Sequence, residues 1–540
     1  VTTGVQNTLI GGLAGDALTT GGQNVAIGYL ALSLETTSAN NVAIGREALK
    51  TSNGGSGNTA VGRTALSATT TGDNNTGVGL SALGGNTTGT ENIAVGATAG
   101  LAITTGAGNI AIGFEAGHDV TTGAYNTLIG WKSGDKIIDS NNNVAIGDGS
   151  LSADTKGTRS VAVGSNALNA QNFTSGTTTF NTAVGYGAGA GIITGIRNTL
   201  IGAESGDAIT TGNNNVAVGS GSLTTNILSD HNVAIGNGAL FTHNLGSSAD
   251  AYNVAVGSSA GAALSTGLQN TLIGGLAGDA LSSSNNNVAV GKSALSGNTV
   301  SSSNVAIGTR ALEIFNVTSD TSTYNVAVGE DAGALLTTGI QNTIIGGLAG
   351  DALNTGSYNV IMGTNAGGGV TSGDQNVIIG QGTNAAALTG DQNVVIGDSA
   401  GQAMTSGNEN VAVGHQSGIS LTTGTNNVLL GSGTSVSAVD GSGANALGRN
   451  VVGVAGYTTF GSGSDTIRAA HGNTTWGVGS DERIKKNITD ATAGLAFINA
   501  LRPITWEYKN KGDLPESFRG YEEGSTCLLY TSDAADDLLC

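Results

Sequence analysis

The sequence predicts an all-β protein, a parallel β-solenoid or β-roll of about 26 coils, and three observations carry that prediction. The pentad Asn-Val-Ala-Ile-Gly, or a near variant, recurs from Asn7 to Asn445. Between Asn7 and Asn427 its spacing is 17 residues, except for three steps of 21 that follow Ser160, Asn232 and Asn304. Gly supplies 91 of 540 residues while Pro supplies only 2, which fits neither collagen nor a Pro-rich disordered tract. At about 1 kcal/mol per Gly in a helix interior, that content also excludes a helical repeat.

Each coil is built from the pentad outward. Alternation in a strand sends Val25 and Ile27 to one face and Asn24, Ala26 and Gly28 to the other. The expectation is that Val and Ile, at the second and fourth pentad positions, line the inside of the coil. A looser apolar patch follows eight or nine residues on, as at Ala17-Leu18 or Ala99-Gly100-Leu101, and reads as a second short strand faced with Ala and Gly. A Thr/Gly/Asn turn closes the coil. At 4.7–4.9 Å per coil the stack is a rod on the order of 120 Å long. Such a coil is thin, and its Ala/Gly face suits close contact with other copies. This favours a homotrimer around a threefold axis, with a monomeric thin solenoid as the alternative.

The Asn opening each pentad reads as structural, because Asn bonds backbone at turns and stacked Asn side chains pair as ladders. Asp16, Asp135, Asp207, Asp279 and Asp351 recur too sparsely for a calcium-binding nonapeptide roll. No metal and no cofactor is expected. The three long coils each carry a Phe (Phe173, Phe241, Phe315) and an aromatic just before the next Asn (Phe180, Tyr252, Tyr324). The simpler expectation is that the two rings pack on each other to close the longer turn. The functional alternative is an exposed aromatic ridge that stacks on sugar rings.

Charge and composition narrow the partners. Net charge is −19 and charged residues are 11% of the chain, so there is no basic face for nucleic acid or an anionic membrane. No stretch approaches a membrane span. Cys527 and Cys540 are the only cysteines, so the repeats owe nothing to disulfides. Val1 enters mid-pattern, as in a fragment of something longer.

Composition changes near residue 450, giving a repeat region 1–449, an irregular Gly/Thr/Ser connector 450–479, and a distinct segment 480–523. Residues 481–540 hold 18 of the 57 charged residues. Beyond Asp490 a short amphipathic helix is expected, with Leu495, Ile498 and Leu501 as its stripe and Pro503 as its stop, then a strand Ile504–Asn510. Together they make the start of an α+β domain.

Two resemblances follow from these residues. The repeated NVAIG pentad resembles the head repeats of trimeric autotransporter adhesins and the shafts of phage tail fibres, over roughly residues 1–450. The segment SDERIKKNI, from Ser480 to Ile488, with RPITWEYK at 502–509, resembles the intramolecular chaperone domain of endosialidases and other phage tail spikes and fibres. That family trimerises, guides folding of the preceding β-structure, and cuts itself off. The resemblance implies Ser480 as nucleophile, Lys485 as its base and Gly479–Ser480 as the bond cut. A serine hydroxyl needs such a base near neutral pH, and a buried lysine can serve. His471 is the less favoured candidate base. Residues 524–540 match nothing in that family and read as a foreign or incomplete end.

The expected function is a host-recognition tail fibre of a bacteriophage virion, its receptor a cell-surface glycan or protein. The alternatives are a bacterial trimeric surface adhesin and a glycan-degrading tail spike. The adhesin class calls for a membrane barrel and heptad stalk, and the spike for clustered acids in a cleft; neither pattern stands in the sequence.

Overall fold

The structure, a computed structural model, describes residues 1–473, the strand Gly477–Val478 and a few positions between 510 and 526. The chain divides into two units, Val1–Gly479 and Ser480–Cys540. The first is a parallel β-solenoid. Each pentad contributes a three-residue strand, such as Val25–Ile27, that pairs in parallel with the same residues one coil on, Val25 with Val42 and Ile27 with Ile44. The register holds through the 21-residue steps, where Val161 pairs with Thr182 and Val233 with Val254. It continues to Asn445–Arg449, and Tyr457–Ser462 adds one further parallel rung. No helix occurs among the described residues.

The strand faces are the reverse of those expected. In nearly every strand the buried residues are the central one, most often Ala, and the preceding Asn, and Val25 and Ile27 are only half-buried on the outside. Ala99, expected on the Ala/Gly face, lies fully inside the coil, as do its equivalents Ala31, Ala48 and Ala65. The reason is the width of a 17-residue coil. The opposite wall sends a Leu or Ile across the lumen, leaving room behind the strand for Ala and for the Asn amide, not for two β-branched side chains.

Core volume is shared among three places in each coil. Where the central pentad residue is Ala, one type of coil has Leu eight residues after the pentad Asn and a polar residue eleven after it, as in Ala26, Leu32 and Glu35, or Ala145, Leu151 and Asp154, and another has Gly and an aliphatic there, as in Ala94, Gly100 and Ile103. Where it is Leu, Gly takes the eighth place and an aliphatic the eleventh, as in Leu128, Gly134 and Ile137. A Cβ on Gly134 would stand 2.7 Å from Leu128 Cδ2 and 3.0 Å from Ile137 Cδ1, so the exchange is sterically enforced.

The expected second strand does not form in most coils. Residues six and eight after the Asn adopt left-handed backbone, for example Leu30 (φ 56°) and Leu32 (φ 53°), which breaks extension. Stacked turns replace it, bonded coil to coil through Gly15 N to Ala31 O and Leu32 N to Ala48 O, both 2.9 Å. The pentad Gly turns the chain at φ near 135°, and a Cβ on Gly28 would lie 2.6 Å from the Gly45 carbonyl oxygen.

The Asn ladder runs inside. The Asn24 amide oxygen accepts from the Asn41 backbone N–H at 2.9 Å, and its NH₂ donates to the Ser38 carbonyl at 2.9 Å. The same pair of bonds repeats at Asn109, with Asn126 N and Gly123 O. Ser160 interrupts the ladder, and Gln171 bridges the gap by donating to Ser160 Oγ and accepting from Asn181 Nδ2.

The described part of the expected connector, from 450 to 473 with Gly477–Val478, forms strands in place of irregular chain. Tyr457–Ser462 turns at Gly463 (φ 59°) into the antiparallel strand Asp465–Ala470, which pairs with Gly477–Val478. The Gly and Ser there are the turn, while Phe460 and Ile467 pair across the hairpin.

Candidate functional site

Gly479, Ser480 and Lys485 lie outside the described residues, as do the expected helix and nearly all of the strand that follows it. His471 is described. It follows the strand Asp465–Ala470, exposed, with Nε2 3.2 Å from Thr458 Oγ1 and 3.5 Å from Asn445 Nδ2. Those contacts attach it to the last rungs of the solenoid.

Two surfaces of the solenoid hold what its core does not explain. The first is the outward stripe of two side chains per coil along the sheet, Val or Ile at most places with Thr interspersed at the first strand position, as at Thr59, Thr127 and Thr271. Ile44, Ile93, Val95, Ile201, Ile235, Ile273 and Ile307 remain 36–39% exposed, and Ile10 at the first coil 58%. Large apolar side chains aligned over so many coils are the kind of exposed surface that marks an interaction site.

The second surface is the column of residues immediately before each pentad Asn. These residues take left-handed backbone, among them Gln23 (φ 59°), Phe180 (φ 53°), Tyr252 (φ 51°) and Tyr324 (φ 54°). In the long coils the four extra residues form a loop whose return is pinned by parallel pairing with the coil before: Thr158 with Thr178, Asp230 with Asp250, Ser302 with Ser322. The two aromatics of a long coil do not close on each other. Phe173 and Phe315 enter the core at 6% and 0% exposure, while Phe180 and Tyr324 stand 51% and 57% exposed. Phe241 departs from its counterparts, lying 45% exposed in an open groove with Glu204 and Asn237. Around Tyr252 the geometry is tight. Its ring stacks on His231 at 5.1 Å, its hydroxyl donates to Asp250 Oδ2 at 2.9 Å, and His231 Nδ1 lies 2.8 Å from Asp250 Oδ1. The Tyr252 hydroxyl and the His231 ring hold the Asp250 carboxyl below its ordinary range. The Arg159 guanidinium lies over the Phe180 ring at 5.7 Å.

The interior also contains ionisable groups that the pentad pattern did not flag. Burial acts to raise the Glu35 pKa, but hydrogen bonds from Ser38, Ser52 and Gly54 outweigh it and hold the group below its usual value. At the equivalent place in the second long coil, His243 is fully buried with both ring nitrogens unpartnered, and burial pushes its pKa down to about 4. The signal for it is positional, since His243 stands eleven residues after Asn232 as Phe315 stands after Asn304. Asp207, Asp279 and Asp351 each leave one carboxylate oxygen buried and unpartnered, and burial raises their pKa values. Among the described residues no group of three or more His, Cys, Asp or Glu is placed to hold a metal ion. No described helix is long and apolar enough to cross a membrane.

Comparison with known proteins bears on the second unit. A family model described as the chaperone of endosialidase matches residues 480–520, which begins at Ser480 and includes both resemblance elements. No curated protein and no solved structure matches the chain. The class supported is therefore a β-solenoid followed by a segment similar to the endosialidase chaperone.

Proposed function

We propose that the chain is the shaft of a phage tail fibre, a homotrimeric rod for host recognition, released by a self-cleaving C-terminal chaperone. The observation that supports it most is the chaperone match at 480–520 placed directly behind a solenoid whose Val/Ile stripe is left uncovered. The Ala side chains are spent inside the coil, so the trimer contact falls to Val and Ile. Two β-branched side chains per rung, stacked in register, give three copies a dry seam, each rung contributing roughly 25 cal/mol per Å² of apolar surface removed from water.

The cut is assigned to Gly479–Ser480, the bond that also separates the two units of the chain. Lys485, as the free amine, takes the Ser480 hydroxyl proton. Oγ attacks the Gly479 carbonyl carbon, the peptide nitrogen takes up a proton as the C–N bond breaks, and water hydrolyses the ester to leave a Gly479 carboxylate. Lysine fills this role when burial lowers its pKa. Intact mass measurement tests the assignment: the parent yields a 1–479 product, and Ser480→Ala stays whole. Cutting that survives both Ser480→Ala and Lys485→Ala would assign the cleavage to another protease.

A further inference from the structure

The three long coils repeat every 72 residues, which is four coils, or about 19 Å along the stack at about 4.8 Å per coil. Their geometry is congruent. In each, a residue pairs with one 20 positions earlier, and two residues later an aromatic ring leaves the surface: Thr178 then Phe180, Asp250 then Tyr252, Ser322 then Tyr324. One coil back in the same column stands a polar residue: Arg159, over the Phe180 ring, His231, stacked on Tyr252, and Ser303, bonded to Ser322 two residues before Tyr324.

These rings do not serve the fold. All three are half exposed or more, and each occupies left-handed backbone, which costs an ordinary L-residue on the order of 1–2 kcal/mol. Elsewhere the same column mostly carries residues better suited to that backbone, such as Gly57, Asn74 and Gly108, with two further exposed rings, Tyr125 and Tyr358, in 17-residue coils that lack the pinned loop. Nor does the column suit a contact between copies. It carries Glu91, Arg159, Arg197, His231 and Glu409, and charges are depleted from the core of an interface.

Resting on the host-recognition reading, we propose that Phe180, Tyr252 and Tyr324 head three equivalent subsites that bind one repeating bacterial surface polysaccharide lying along the solenoid. A sugar ring offers an apolar C–H face to an aromatic and a rim of hydroxyls to charged and hydroxyl neighbours. Asp250 and His231 beside Tyr252, Arg159 beside Phe180, and Ser303 with Ser322 beside Tyr324 supply those acceptors and donors. Equal spacing of the three heads selects a polymer whose repeat matches it, and linkage of the sites raises avidity by a factor on the order of 10² or more over one site.

The test is binding of the full chain to an array of purified capsular and O-antigen polysaccharides, each in long and short fractions. Substitution to Asn keeps a residue this column already carries at Asn74, Asn142 and Asn214. Tyr252→Asn is expected to weaken binding about tenfold, and the triple change of Phe180, Tyr252 and Tyr324 to Asn at least about 100-fold. Long fractions should bind more tightly than fragments too short to reach from one head to the next. Unchanged affinity in the triple variant, or no polysaccharide bound by a parent that still adsorbs to bacterial cells, overturns the proposal while leaving host recognition standing. A triple variant that loses its oligomeric mass also overturns it, by assigning the rings to contact between copies. Failure of the parent to adsorb to any strain overturns the host-recognition reading beneath it.

Discussion

His243 should make the solenoid acid-sensitive, and replacing it should remove that sensitivity. The side chain is fully buried, neither ring nitrogen has a partner, and its pKa falls from 6.5 to about 4 through burial. A depressed pKa means that the unfolded chain takes up the proton first as pH falls below 6.5, while the folded chain resists until about 4. Stability attached to this group is thus full above pH 6.5 and is lost progressively down to pH 4. At about 1.4 kcal/mol per pH unit the loss reaches about 2 kcal/mol at pH 5. Phe is the natural replacement, because Phe315 fills the same place in the third long coil. Asp154, Asp207, Asp279 and Asp351 are shifted upward by burial and gain stability as pH falls, but they are common to parent and variant and cancel in the difference. The assay is denaturant unfolding of parent and His243→Phe at pH 7.5 and pH 5. The variant should be the more stable at pH 7.5, and its advantage should grow by about 2 kcal/mol at pH 5. Parallel pH profiles would refute the reasoning, since they would mean that the imidazole has a hydrogen-bonding partner or solvent access.

Four further expectations follow from the same geometry. Asn109→Ala leaves the Gly123 carbonyl and the Asn126 N–H buried without partners, and should cost about 2–6 kcal/mol by denaturant unfolding. Gly134→Leu should fail through collision with Leu128 and Ile137, while the triple change Leu128→Ala, Gly134→Leu and Ile137→Asn, which copies the coil of Ala217, Leu223 and Asn226, should recover much of the thermal stability. Ile235→Glu with Ile273→Glu places charges on the outward stripe, and should lower the light-scattering mass without altering the far-ultraviolet β signal of the coils. His471→Ala should leave cleavage intact, because its contacts are to Thr458 and Asn445; a loss of the 1–479 product on mass analysis would count against the Ser480–Lys485 assignment.

The period, the parallel register and the Asn ladder were legible because they are properties of repetition: an identical residue every 17 positions must stack on itself. The facing of the strand was not legible. Alternation distinguishes Val25 and Ile27 from Asn24 and Ala26 but does not say which pair faces in, and hydrophobicity alone points the wrong way. The missing information lay across the coil, in the exchange of Leu32 for Gly134 as the central residue changes from Ala26 to Leu128. That covariation is visible in the sequence once the coil width is known. Position-specific roles such as that of His243 were hidden because a single polar residue among apolar equivalents carries no periodic signal. The outward placement of Phe180, Tyr252 and Tyr324 depends on left-handed backbone at one residue, which no propensity for an aromatic would suggest. The chaperone segment was legible through SDERIKKNI, and the family match at 480–520 accords with it.

Native mass spectrometry of the purified protein reads the chain end and the copy number together. The account predicts three copies, each a 1–479 product ending at Gly479, held together without covalent links. A single intact chain of 52.7 kDa, with Gly479–Ser480 unbroken and the Val/Ile stripe in water, would contradict it.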